Sequence, residues 1–147
     1  MQLKQKCIIM DISMPISELM STDLKTVDIK DPVLKIHQLI NEHKIHHVPV
    51  MKDDQLAGIV TSSDILYFLR DLHPESRESY INDMRLKNYT AEEIMYGSPT
   101  CVSPDTTVEV ALKIFSENMF HALPVVVDEN QLVGMFTTHD IIKHLLK

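Results

Sequence analysis

At 147 residues the chain has the length of one ordinary domain, enough to bury a real core. Its 44% hydrophobic and 24% charged residues mark a soluble globular protein, and no apolar run reaches the ~18 residues of a membrane span. A net charge of -7 and 5% aromatics argue against nucleic acid or an anionic membrane as a partner. The N-terminal M-Q-L-K-Q-K-C-I-I-M-D is too short an apolar stretch for a signal peptide. Cys7 and Cys101 form no spacing motif, so a reduced, cytoplasmic setting is expected.

The chain contains itself twice. Val27 matches Val102, Val33 matches Val108, His46 matches His121 and Pro49 matches Pro124, all at a shift of 75. One extra residue near Asn130 makes the shift 76, so that Gly58 matches Gly134, Thr61 matches Thr137 and Asp64 matches Asp140. A repeat of this length implies two copies of one supersecondary unit, with a ligand cleft between them. The expected division is an N-terminal segment (1–15), a first copy (16–70), a connector (71–89) and a second copy (90–147).

In the first copy, 16–20 (I-S-E-L-M) reads as a short helical turn and 24–29 as an extended piece. Asp31 has the character of an N-cap, with Pro32 at the first helical position. Val33, Ile36, Leu39 and Ile40 then give one apolar helix face. V-P-V-M (48–51) reads as a strand whose proline belongs at an edge or a strand start. K-D-D-Q is a turn, L-A-G-I-V-T (56–61) the partner strand, and a closing helix begins at Ser63 or Asp64. In the connector, Ser76, Tyr80, Met84 and Leu86 hint at weak helical order, read as an extension of the closing helix. The second copy repeats the order from 91–95 (A-E-E-I-M), with capping-box spacing at Thr106 and Glu109. Its strands fall at 123–127 and 132–137, and Asp140 opens its closing helix. The order β-α-β-β-α predicts an α+β unit, a three-stranded mixed sheet with two helices on one face.

The sharpest chemical signal is G-I-V-T-S-S-D (58–64), repeated as G-M-F-T-T-H-D (134–140). Each ends a strand and begins a helix, whose first turn presents unpaired N–H groups suited to an anion. Thr61 and Thr137 add hydroxyl donors for a phosphate. Asp64 and Asp140 suit the two hydroxyls of a ribose. The alternative is an ordinary helix cap in which Thr and Asp serve only the backbone. His46, His47 and His121 stand at helix-to-strand corners, where imidazoles can donate to a phosphate or simply remain polar corner residues. No metal is expected: His139 and His144 are five apart, and His43, His46 and His47 have no nearby cysteine. No nucleophile motif appears, so an enzyme is not expected.

Together, E-L-M and E-I-M, the V-P-V and L-P-V strands and the two G-x-x-T-x-x-D segments resemble tandem CBS domains, the module named after cystathionine β-synthase. The resemblance covers about 16–69 and 91–145. It implies two β-α-β-β-α units related by a pseudo-twofold axis, a Bateman module. It also implies an adenosine-containing ligand: AMP, ADP or ATP, with S-adenosylmethionine in the same range, and no metal beyond nucleotide-bound magnesium. By resemblance, Thr61 and Asp64 hold phosphate and ribose at one site, lined by Thr26, Val27, Asp28, His46, His47, Val48, Pro49 and Ile59. Thr137 and Asp140 do so at the other, with Cys101, Val102, Ser103, His121, Leu123, Pro124 and Met135. Ser63 and Ala122 stand where relatives often carry a basic residue, which weakens the case for tight polyphosphate binding. The expected function is regulatory: a nucleotide sensor that acts on a protein target or on its own homodimer. Ile65, Phe68, Leu69, Ile141, Ile142 and Leu145 are expected to supply the dimer surface. The competing reading is a dimerisation or interaction module that binds no nucleotide.

Overall fold

The computed structural model describes residues 9–70 and 78–147. They fall into two compact units. The first holds Asp23–Thr100 and Asp128–Leu132; the second holds the described part of Met1–Thr22 with Cys101–Val127 and Val133–Lys147.

In the first unit, strand β1 (Val27–Asp28) leads to helix α1 (Val33–His43), then to strands β2 (His47–Lys52) and β3 (Gln55–Thr61) and helix α2 (Ser62–Arg70). Helix α3 (Glu78–Asn88), helix α4 (Ala91–Ile94) and strand β4 (Tyr96–Gly97) follow. The sheet has four strands in the order β1-β2-β3-β4, parallel between β1 and β2 and antiparallel elsewhere. The expected mixed sheet is present, with β4 as a fourth strand that the repeat pattern alone did not supply. The β2–β3 turn uses Asp53 and Asp54 at φ 49 and 63, left-handed positions that Asp tolerates better than most side chains. Pro49 lies inside β2 rather than at its start. It costs no ladder bond because β1 pairs only with Val50 and Met51.

Val27, Val48, Val50 and Val60 join Val33 and Ile36 of α1 and Ile65 of α2 in one core. Both helices therefore cover the same sheet face. Leu86 of α3 is buried in this core, Tyr89 meets Phe68 edge-on, and the Arg85 guanidinium lies 5.9 Å from the Phe68 ring centre. Over its described part, the connector is thus helical and packed on its own unit. Whether it extends α2, as expected for the connector 71–89, turns on 71–77, which lie outside the described residues.

The second unit contains helix α5 (Val108–Asn118), strand β5 (Ala122–Val127), strand β6 (Gln131–Thr137) from Val133 onward and helix α6 (Thr138–Leu145). Val102 bridges Val125 in parallel and Ser21 bridges Met135 in antiparallel fashion, which reproduces the outer strands of the first sheet in abbreviated form. Its core gathers Ile16, Val108, Ala111, Phe115, Leu123, Val125, Phe136 and Ile141.

The units do not follow chain order. The 3-10 turn Ile16–Glu18 opens the first copy in sequence but packs in the second unit, while α4 opens the second copy and packs in the first. The reason lies at the helix starts, whose first N–H groups need acceptors. Val33 N–H donates to Tyr89 O at 2.8 Å, and Val108 N–H donates to Met14 O at 3.0 Å. In return, Ala91 N–H donates to Asp31 O and Ile16 N–H to Thr106 O, both at 2.8 Å. Each lead-in segment therefore completes the helix of the other copy.

This arrangement moves both expected caps by one residue. Pro32, not Asp31, is the N-cap of α1; the Asp31 carboxylate instead accepts from Asp28 N–H at 2.8 Å and from Lys35 Nζ at 2.6 Å. Thr107, not Thr106, caps α5 by accepting from Val110 N–H at 3.3 Å, and Glu109 pairs with Lys113 at 2.9 Å. The closing helices begin at Ser62 and Thr138, two residues before the aspartates.

Candidate functional site

Successive residues of a strand point to opposite faces, and directly paired residues of neighbouring strands share one. Across β2 and β3, His47 pairs with Thr61, Val48 with Val60 and Pro49 with Ile59. Val48 and Val60 face the core. His47, Pro49, Ile59 and Thr61 therefore share the opposite face, continued by Thr26 and Asp28 on either side of core-facing Val27. Most of the first expected set is thus brought to one sheet face by alternation alone. The side chains of Val27 and Val48 are the exceptions: both are buried in the helix-side core, so only their main chain is offered.

The helix start borders that face. Asp64 Oδ2 accepts from Thr61 N–H and from Thr61 Oγ1, each at 2.7 Å. Asp64 N–H donates back to Thr61 Oγ1 at 3.2 Å. The capping role is therefore real, and it occupies one carboxylate oxygen. Among the described residues, no hydrogen bond to Asp64 Oδ1 is formed. His46 is exposed, with Nδ1 3.3 Å from Ser62 Oγ. Asp28 Oδ1 accepts from Lys30 N–H at 2.9 Å. Burial pushes the Asp31 carboxyl up, but its bonds from Lys35 and from Asp28 N–H outweigh that and hold it below the ordinary carboxylate range.

The second unit repeats the plan with differences. Pro124 and Met135 stand outside the core cluster that takes Leu123, Val125 and Phe136. Val102 and Leu123 spend their side chains on that core. Asp140 Oδ2 accepts from Thr137 N–H and Thr137 Oγ1, each at 2.8 Å. Here the second oxygen is used as well: Ser21 Oγ donates to Asp140 Oδ1 at 3.3 Å, and Asp140 is only 7% exposed. Ser103 Oγ and Thr106 Oγ1 lie 3.3 Å apart, and His121 is exposed. Burial pushes the Cys101 thiol up.

Two glycines make room for a methionine on the core side of the sheets, opposite these faces. A Cβ on Gly58 would lie 2.6 Å from Met95 Sδ and 2.8 Å from Tyr96 O; one on Gly134 would lie 2.5 Å from Met20 Sδ. The methionines of E-I-M and E-L-M thus pack over the glycines of the opposite copy. Immediately after them come Tyr96 and Ser21, which motif reasoning did not single out. Their signal was present in the repeat: they are equivalent positions, 75 apart, with unlike residues.

Two β-α-β-β-α-like units, each with a Thr/Asp pair at its strand-to-helix turn, define a duplicated α+β module. The CBS domain family model matches residues 16–71 and 91–147, and the chain belongs to that family. An inosine-5'-monophosphate dehydrogenase from Korarchaeum cryptofilum is 30% identical over 119 residues. The match takes in 81% of this chain but 22% of that enzyme, so the chain spans about a fifth of this relative. Among solved structures, CBSX2 from Arabidopsis thaliana in complex with AMP superposes with a TM-score of 0.74 at 25% identity, covering 90% of this chain and 96% of that one. The CBS domain pair of protein MJ0100, in complex with 5'-methylthioadenosine and S-adenosyl-L-methionine, gives a TM-score of 0.72 at 24% identity, covering 88% and 98%.

Proposed function

We propose that this protein is a regulatory sensor of an adenosine-containing ligand, AMP, ADP or ATP before S-adenosylmethionine. The observation that carries the reading is the sheet face of the first unit. Thr26, His47, Pro49, Ile59 and Thr61 share it, and Asp64 borders it with a carboxylate oxygen left over from capping. Pro49 and Ile59 make that face apolar, as a base requires, although both are buried in the structure. The first turn of α2 with Thr61 and the histidines suits a phosphate, and Asp64 Oδ1 suits a ribose hydroxyl. The AMP complex of CBSX2 supports the choice of ligand. A homodimer and a protein target complete the proposal, in a reducing, cytoplasmic setting. The candidate dimer surface keeps Ile142 from the expected set but not Ile65 and Ile141. Ile65 and Ile141 are core residues, whereas Leu66 and Tyr67 on α2, and Ile142 and Leu146 at α6, are exposed.

A thermal-shift series with AMP, ADP, ATP and S-adenosylmethionine, with and without magnesium and with GMP as control, tests the proposal. A ligand at about 100 times its dissociation constant adds ~2.7 kcal/mol of stability. For a chain of this size that is roughly 5–10 °C. No shift with any adenosine compound at millimolar concentration would favour the interaction module that binds no nucleotide.

A further inference from the structure

The two sheet faces differ at one pair of equivalent positions, and the difference bears on both a base and a ribose. Tyr96 pairs with Ile59 across β3 and β4, so it stands on the site face, in a row with Pro49 and Ile59. It is 63% exposed, and no ring contact to it is formed among the described residues. A tyrosine is a rigid platform: little conformational freedom is lost when a flat ring settles on it. In the second unit the matching row is Pro124, Met135 and Ser21, with Ser21 bridging Met135. It ends in a hydroxyl instead of a ring, and that hydroxyl occupies the remaining oxygen of Asp140. The first unit thus offers an aromatic platform and an available carboxylate acceptor. The second offers neither.

We infer that the first unit alone supplies the nucleoside-binding face, and that Tyr96 stacks on the base there. The inference rests on the proposed function and adds to it a stoichiometry and a base-recognition residue. Ser21 is the corresponding device in the second unit, where it makes Asp140 a purely structural carboxylate.

Isothermal titration with AMP and with ATP, on the wild-type chain and on Tyr96→Ala, Tyr96→Ser and Tyr96→Phe, tests it. The wild type takes one nucleotide per chain. Y96A and Y96S weaken binding about 5- to 150-fold, the range spanned by base–aromatic stacking. Y96F retains wild-type affinity within about threefold, because its ring stacks equally well. Exposure of the side chain keeps the fold intact in all three, and Y96S places the residue of the second unit at this position. Two equivalent nucleotides per chain, or wild-type affinity in Y96A and Y96S, would overturn the inference while leaving the sensor reading in place. A wild-type chain that binds neither nucleotide would overturn both.

Discussion

Asp64 carries two roles on two oxygens, and substitution can separate them. Oδ2 accepts both 2.7 Å bonds from Thr61 and so caps α2. Oδ1 is the proposed ribose acceptor. Asp64→Ala removes both functions. Loss of the cap costs about 1 kcal/mol, within a 0.5–2 kcal/mol range. That corresponds to a melting point lower by ~2–4 °C without ligand. Asp64→Asn is the cleaner probe. Its amide oxygen can accept both bonds from Thr61, which leaves the NH2 group where Oδ1 stood. A donor then replaces the acceptor that the sugar requires. Stability without ligand should stay within about 0.5 kcal/mol of wild type. Nucleotide affinity should fall about 10- to 150-fold, the equivalent of a lost charged hydrogen bond of ~1.5–3 kcal/mol. Melting curves without ligand and titration with AMP provide the two readings. A D64N protein that binds AMP as tightly as wild type would confine Asp64 to capping and refute the ribose assignment. Asp140→Ala should cost more stability than D64A, since it removes a third bond, from Ser21, at a nearly buried site.

Three further outcomes are expected. Gly58→Ala should destabilise by about 1–3 kcal/mol, because its Cβ meets the Tyr96 carbonyl as well as a flexible methionine, whereas Gly134→Ala meets only Met20 and should cost less in the same urea titration. The Asp31 carboxyl is depressed in the folded state, so the stability it contributes is present above its unfolded pKa of about 3.9 and is lost as pH falls through the folded value. Asp31→Asn should therefore lower the urea midpoint at pH ~7, and the difference should close below pH ~4; a constant difference would refute the assignment. Light scattering at tens of micromolar should report a dimer, and Leu66→Glu with Ile142→Glu should yield monomers, since these side chains are 69% and 52% exposed.

Much of the fold was legible because the repeat aligned each turn signal with a second copy. K-D-D-Q forms the expected hairpin turn, and both G-x-x-T-x-x-D segments run from strand into helix. What escaped was non-local. Val48, Pro49 and Val50 are all buried, so β2 shows no polar alternation from which to assign a ligand face. Only packing against the helices shows that Val48 and Val50 take the core side and Pro49 the other. The ends of α1 and α5 also carry no glycine signal; Lys44 and Met119 take left-handed conformations at φ 53 and 54. The expected caps were one residue early because the acceptors for those helix starts come from distant segments.

The exchange of lead-in segments also explains why the two halves of a repeat can diverge in chemistry without losing the fold. The bonds that hold each segment are made by main-chain atoms: Tyr89 O and Asp31 O in the first unit, Met14 O and Thr106 O in the second. Side chains at the following positions are released from that task. Ser21 and Tyr96 occupy such positions, each beside a methionine whose packing on a glycine is shared by both copies. A hydroxyl at one and a ring at the other change what the adjoining aspartate and apolar row can bind, while the backbone ladder stays the same. Duplicated architecture and unequal faces are therefore compatible: the repeat fixes where the proposed ligand face lies, and the residue after the methionine differs between the two copies.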